Sequence, residues 1–206
     1  LGLRLPLFDF LEEAYGKLRI IEEKQVGKSR ADIVMVLPGL LTGIEIKSDA
    51  DSYVRLSRQV KDYDRFFDRN MVVAGSSHAA HVREHVPGWW GIITVEQNDR
   101  EIDFYVLRQP QENPMMNWKR KLSLLWRPEL AHIQELTAMP RYKEKSKAFV
   151  IEKILAKVPG EQLSVLVSEE LFERDYTRIE EVIRAYKIQN RPELKGRTGK
   201  RKRRRP

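Results

Sequence analysis

The chain has 206 residues, 41% hydrophobic and 33% charged, with a mean hydropathy of -0.54; this is material for one ordinary globular domain, or one domain plus an appendage, and argues against disordered and collagen-like classes. No stretch approaches the roughly 18 apolar residues that span a bilayer, and Arg4 and Asp9 interrupt the apolar opening, so a soluble, cytoplasmic chain with no membrane partner is expected. The lack of cysteine removes disulfide frameworks, thiolate zinc sites and cysteine nucleophiles, and the net charge of +8 sits entirely in Lys195–Pro206, whose eight cations and no acid leave the body formally neutral.

From the N-terminus, Leu7, Leu11, Ala14 and Leu18 recur at helical spacing, which predicts an amphipathic helix over Leu7–Leu18. Three extended runs follow at Arg19–Glu23, Ala31–Leu37 and Leu40–Lys47, the last two joined by Pro38-Gly39. Asp51 and Ser52 read as caps of a helix to about Phe67, with Leu56, Val60, Tyr63 and Phe67 as its apolar stripe. Asn70–Ala74 reads as a buried strand, Ala79–Glu84 as a short helix, Gly91–Val95 as a strand, and Ile102–Leu107 as another after an Asn98-Asp99 turn.

Gln109–Pro114 turns to Pro, Gln and Asn and marks a boundary. Residues 1–112 are expected to form one domain, 113–191 a helical region, and 192–206 a basic tail that is disordered when unbound. The helices are expected near Trp118–Leu125, Glu129–Leu136, Lys147–Lys157, Gln162–Glu173 and Thr177–Lys187.

The chemistry is concentrated between Asp32 and Tyr63. An even-length loop centred on Pro38-Gly39 makes residue numbers across the hairpin sum to 77, which sets Asp32 opposite Glu45; alternation then puts Asp32, Glu45 and Lys47 on one face. Directly opposed residues have Cβ atoms about 4.5 to 5.5 Å apart, close enough for two carboxylates to share one divalent ion. Such a pair is repulsive alone, and a hard cation resolves the conflict. Lys47 beside it can position or deprotonate a water, or stabilise charge on a phosphate. Glu-x-Lys alone is weak, since roughly one is expected by chance in this length, and Glu22 and Glu193 begin two more. Only Glu45-Ile46-Lys47 ends an apolar strand with an acid on the strand opposite; the plain alternative is a cross-strand salt bridge on a solvated edge. Gln59 and Tyr63 lie four apart on the next helix, on its core face, so the Gln59 amide needs a polar partner, either the lysine or a phosphate, while Tyr63 packs beneath.

Asp32, Glu45-Ile46-Lys47 and Gln59-Val60-Lys61-Asp62-Tyr63 together resemble the PD-(D/E)XK nuclease superfamily, the Gln-x-x-x-Tyr element being similar to the branch of RecB-type exonuclease domains. Arg30-Ala31-Asp32-Ile33, Gly43 to Asp49 and Arg55 to Gln59 resemble a little-characterised bacterial family within it. The resemblance covers about Leu7–Leu107 and implies an α/β, restriction-endonuclease-like core, a mixed central sheet flanked by helices, followed here by an all-helical C-terminal region. It further implies that Asp32, Glu45 and the backbone carbonyl of Ile46 bind Mg²⁺ or Mn²⁺, with no other cofactor, and that Lys47 assists the attacking water. Ala31 stands where members often carry proline. Many members also use an upstream acid, for which Glu22 is preferred over Glu23, Glu12 and Glu13.

His78, His81 and His85 share a helical face, and a zinc site competes there with a solvated or DNA-facing helix. Trp89-Trp90 reads as core or sheet cover. Glu129 to Leu155 weakly resembles SAP-like or Rho-N-like nucleic-acid-binding units, in which Arg141, Lys143, Lys145 and Lys147 would meet phosphates. The expectation is a divalent-metal-dependent DNA nuclease, with Lys200, Arg201, Lys202, Arg203, Arg204 and Arg205 adding nonspecific affinity for DNA; the alternative is a catalytically inactive nuclease-fold DNA-binding or regulatory protein.

Overall fold

Six strands form one mixed sheet in chain order. The structure, a computed structural model, describes residues 2–48, 53–98, 101–176 and 178–190. Helix α1 (Arg4–Tyr15) precedes β1 (Arg19–Val26), β2 (Ser29–Leu37) and β3 (Leu40–Lys47); α2 (Tyr53–Phe66) leads to β4 (Arg69–Gly75), and α3 (Ala79–His85) to β5 (Gly91–Gln97) and β6 (Ile102–Arg108). Five helices follow: α4 (Trp118–Ser123), α5 (Arg127–Leu136), α6 (Lys147–Lys157), α7 (Gly160–Glu173) and α8 (Ile179–Gln189). The pairs β1/β2, β2/β3 and β5/β6 are antiparallel, whereas β3/β4 and β4/β5 are parallel. No helix among the described residues is long and apolar enough to cross a membrane.

The α/β architecture with helices after the sheet agrees with the sequence reading, and the differences have local causes. The first helix lies one turn earlier than Leu7–Leu18 because Gly16 takes a φ of 74° and ends it. Strand β1 runs beyond Glu23 to Val26, since the turn to β2 is Gly27-Lys28 and its residues carry no apolar alternation. Gly27 combines a φ of +60° with an approach to Asp62 that leaves a Cβ no room. The caps Asp51 and Ser52, the turn residue Asp99, the helix start Thr177 and the tail cations lie outside the described residues.

Alternation divides the core between the two faces. Ile33, Met35, Ile44, Met71, Val73 and Ile93 pack under Leu7 and Leu11 of α1. Val34, Val36, Leu41, Val72 and Ala74 face α2 through Leu56, Val60 and Tyr63, in a larger cluster that also takes Leu163, Val167 and Leu171 of α7. Sheet and C-terminal helices therefore share a core, each fully buried aliphatic side chain contributing roughly 1.5–3 kcal/mol. Gly43 leaves the space in which the Phe67 ring lies against β3. The 109–114 segment is strapped to the core by the Asn113 side-chain amide, which donates to the carbonyls of Asp64 and Phe67, both at 2.7 Å. Buried Lys121 of α4 reaches both Asp68 oxygens at 2.8 and 2.9 Å. Trp90 is buried and donates to Asp64 at 2.8 Å, as Trp89 does at 3.2 Å, so the tryptophan pair is core with a polar anchor.

Candidate active site

The predicted register holds from Leu37↔Leu40 to Ile33↔Ile44 and stops one pair short of Asp32 and Glu45. Alternation on β2 changes phase there: Ile33 belongs to the α1-side cluster, yet Ala31, two residues earlier, belongs to the α2-side one. Glu23, between the pairs Glu22↔Ile33 and Lys24↔Ala31, has a φ of 55° and breaks the ladder at the same level. Asp32 is thereby freed from pairing and substitutes its side chain for a strand, Oδ2 accepting the Ile46 N–H at 2.8 Å. The N–H and C=O of a strand residue leave on the same side, so the Ile46 carbonyl points into the same gap.

The gap is a cleft of about 420 Å³ at the C-terminal end of β3, where pairing switches from antiparallel to parallel. Asp32, Glu45, Ile46, Lys47 and Gln59 line its floor. Its walls are cationic: Lys28 and Arg30 come from the β1–β2 hairpin and Arg55 and Arg58 from α2. The hairpin wall is fixed by the Ser29 hydroxyl, which donates to Asp62 of α2 at 2.6 Å.

The expectation that Gln59 serves the lysine or a phosphate is corrected: its amide nitrogen donates to Glu45 Oε1. The reason is geometric, since Glu45 points across the α2 face and reaches the amide first. Tyr63 packs beneath as predicted and also bridges the two acids, accepting the Asp32 N–H at 3.1 Å and donating to Glu45 Oε2 at 2.5 Å. Gln59 Oε1 is buried without a partner among the described residues. Burial foremost, then the Asp32 charge, raises the Glu45 carboxyl to about 7, against the Tyr63 hydrogen bond, Lys47 and the Gln59 amide. Lys47 is buried at the cleft floor.

Glu22 is not brought into the cleft. It pairs with Ile33, whose side chain faces α1, and its carboxylate meets Arg4 at 3.0 Å. Arg4, which the sequence reading did not single out, also holds Glu23 at 2.5 Å and lies 4.0 Å from Asp32 Oδ1. Arg30 grips the other Glu23 oxygen at 2.7 Å. No sequence signal marked Arg4, Ser29 or Asp62, because each acts on a residue 18 or more positions away. The three histidines do not converge: His81 and His85 pack on Tyr53 with ring centroids 4.6 and 4.3 Å away. Among the described residues no three His, Asp or Glu side chains form a cation cluster.

Fold and cleft define an α/β protein whose mixed sheet opens, at its antiparallel-to-parallel switch, into a site of two carboxylates and a lysine. The chain belongs to the family of bacteriophage P4 protein cII, whose family model matches residues 4–191. Protein cII of Enterobacteria phage P4 is 28% identical over 101 residues, 49% of this chain and 38% of that protein, so the chain spans under two fifths of that relative's length. Among solved structures, SfsA of Pyrococcus furiosus in complex with Ca²⁺ is 18% identical with a TM-score of 0.33, over 52% of this chain and 60% of that one.

Proposed function

We propose that the cleft is a nuclease site of the PD-(D/E)XK type that binds one divalent cation, Mg²⁺ or Mn²⁺, and hydrolyses phosphodiester bonds in DNA. The observation that carries the reading is Asp32 and Glu45 held beside Lys47 at the floor of a cleft whose rim bears Lys28, Arg30, Arg55 and Arg58. The floor fits a hard cation, since its donors are oxygens: two carboxylates, the Ile46 carbonyl, and the orphaned Gln59 Oε1 within reach of a water on the ion. Glu45's raised proton affinity marks the same deficit of positive charge. Two carboxylates, with Glu22 turned away, suit one ion rather than two.

When bound, the ion supplies Lewis-acid polarisation and an acidified water. The chain's own residues do the rest. Tyr63 and Gln59 fix both Glu45 oxygens, and the Ile46 N–H fixes Asp32, so neither carboxylate has to reorganise. Lys47 holds an ammonium where it can orient the attacking water and meet charge developing at phosphorus. The four rim cations hold backbone phosphates and carry no sequence information, and Lys200 to Arg205 add contacts of the same kind.

The test is incubation with linear, nicked, branched and single-stranded DNA in Mg²⁺ or Mn²⁺, beside Asp32→Asn. Cleavage of at least one substrate, abolished by EDTA and by the substitution, is the expected result. Cleavage by the variant at the wild-type rate would sink the assignment.

A further inference from the structure

A second concentration of cations lies among residues that do not line the cleft. Glu129 of α5 spends both carboxylate oxygens on buried Arg174, at 2.7 and 2.6 Å, and one of them also accepts the Trp126 N–H at 2.7 Å. Around this pair stand two half-buried lysines, Lys24 of β1 and Lys147 of α6. The Lys147 ammonium donates to the Ser123 carbonyl at 2.7 Å. Lys24 has neither a hydrogen-bond acceptor nor a carboxylate partner for its ammonium among the described residues. Arg127, at the start of α5, donates from Nη2 to the carbonyls of Tyr142 and Lys145, while its Nη1 is enclosed with no partner among the described residues.

Four cations thus share one carboxylate that is already saturated. Burial first, then Arg174 and Lys147, push the Lys24 ammonium down to about 8, Glu129 opposing. Lys147 is lowered by burial, with Arg174 and Arg127 adding to it and Glu129 again opposing. Cations removed from water and turned toward one another cost stability unless an anion joins them.

We propose that Lys24 and Lys147, backed by Arg174 and flanked by Arg127, form an anion site for a phosphate group, separate from the cleft. Phosphate suits it because its several oxygens can accept from two ammoniums and a guanidinium at once. The group belongs either to a free phosphate or to a nucleic-acid backbone, and the site stands whether or not the cleft cuts DNA.

The experiment is a titration of the whole chain with inorganic phosphate in EDTA, read by calorimetry and by thermal unfolding, with chloride at equal ionic strength as the control. Wild type should bind saturably and unfold at a higher temperature with phosphate. Lys24→Gln should weaken binding about tenfold or more, yet unfold no earlier than wild type without phosphate, since it removes a repulsion. Lys147→Gln is the second variant and should weaken phosphate in the same way. A short oligonucleotide without terminal phosphates then separates the sources: displacement of inorganic phosphate assigns the site to a backbone, and simultaneous binding to a free phosphate. No phosphate response in wild type beyond that of chloride, or the same response in both variants, would overturn the proposal.

Discussion

Glu45 is a buried acid with two donors on its carboxylate and a second acid beside it, and its rise to about 7 makes the site a measurable part of the molecule's stability. The native value lies above the 4.5 of a free glutamic acid, so the native state holds the proton longer than the unfolded chain. This contribution is therefore fully present below pH 4.5 and lost as pH rises to about 7, a change on the order of 3 kcal/mol. In EDTA, the urea midpoint of wild type should fall between pH 5 and pH 8 more steeply than that of Glu45→Gln; parallel profiles would contradict the raised value. Arg4 supplies a test of opposite sign. It stands 4.0 Å from Asp32 Oδ1, clamped by Glu22 and Glu23. Arg4→Ala should tighten Mn²⁺ binding, measured by calorimetry, about two- to fivefold. A merely structural role for Arg4 would weaken it.

The strands and most helices were legible because their periodicities are local. Leu40–Lys47 and Lys147–Lys157 came out at their full bounds, and the Pro38-Gly39 centre gave the hairpin register as far as Ile33↔Ile44. The rest depends on residues far apart in the chain. Asp32 leaves the ladder where Glu23, a strand away, adopts a left-handed backbone, and nothing in Glu22-Glu23-Lys24 announces it. Gln59 can donate or accept, so its choice of Glu45 was fixed only once α2 lay over β3. The same holds for the ion pairs that join the C-terminal helices, Arg174 with Glu129 across 45 positions and Lys121 with Asp68 across 53. Arg174 also lies 3.8 Å from the Trp126 ring centroid and donates to the Leu124 carbonyl at 3.0 Å, so α5, α7 and the α4–α5 link meet on one guanidinium. Arg174→Met leaves Glu129 buried without a counter-ion and should cost about 3–5 kcal/mol in urea unfolding. Adding Glu129→Leu should recover much of that loss. A single-variant loss below about 1 kcal/mol would mean that the pair does not organise these helices.

At the scale of the whole molecule, α1 closes one face of the sheet and α2 with the C-terminal helices closes the other, leaving the cleft open where β2 and β3 part. The body is formally neutral and the excess charge lies in Lys195–Pro206. On the proposed reading, the body carries the chemistry and the tail carries salt-dependent affinity. Truncation after Leu194 should flatten the plot of log affinity for DNA against log salt by about 0.7–0.9 for every phosphate that the tail neutralises, while cleavage at low salt persists; equal slopes would refute that division. The central claim rests on Asp32, Glu45 and Lys47 acting together, and its most direct measurement is single-turnover cleavage of end-labelled DNA against Mn²⁺ concentration, for wild type and for Lys47→Ala shown to be equally folded. Wild type should cut at a rate that saturates with Mn²⁺ and vanishes in EDTA, and Lys47→Ala should be slower by about 10²-fold or more. Wild type inert on single-stranded, duplex and branched DNA alike, or Lys47→Ala cutting at the same rate, would contradict it.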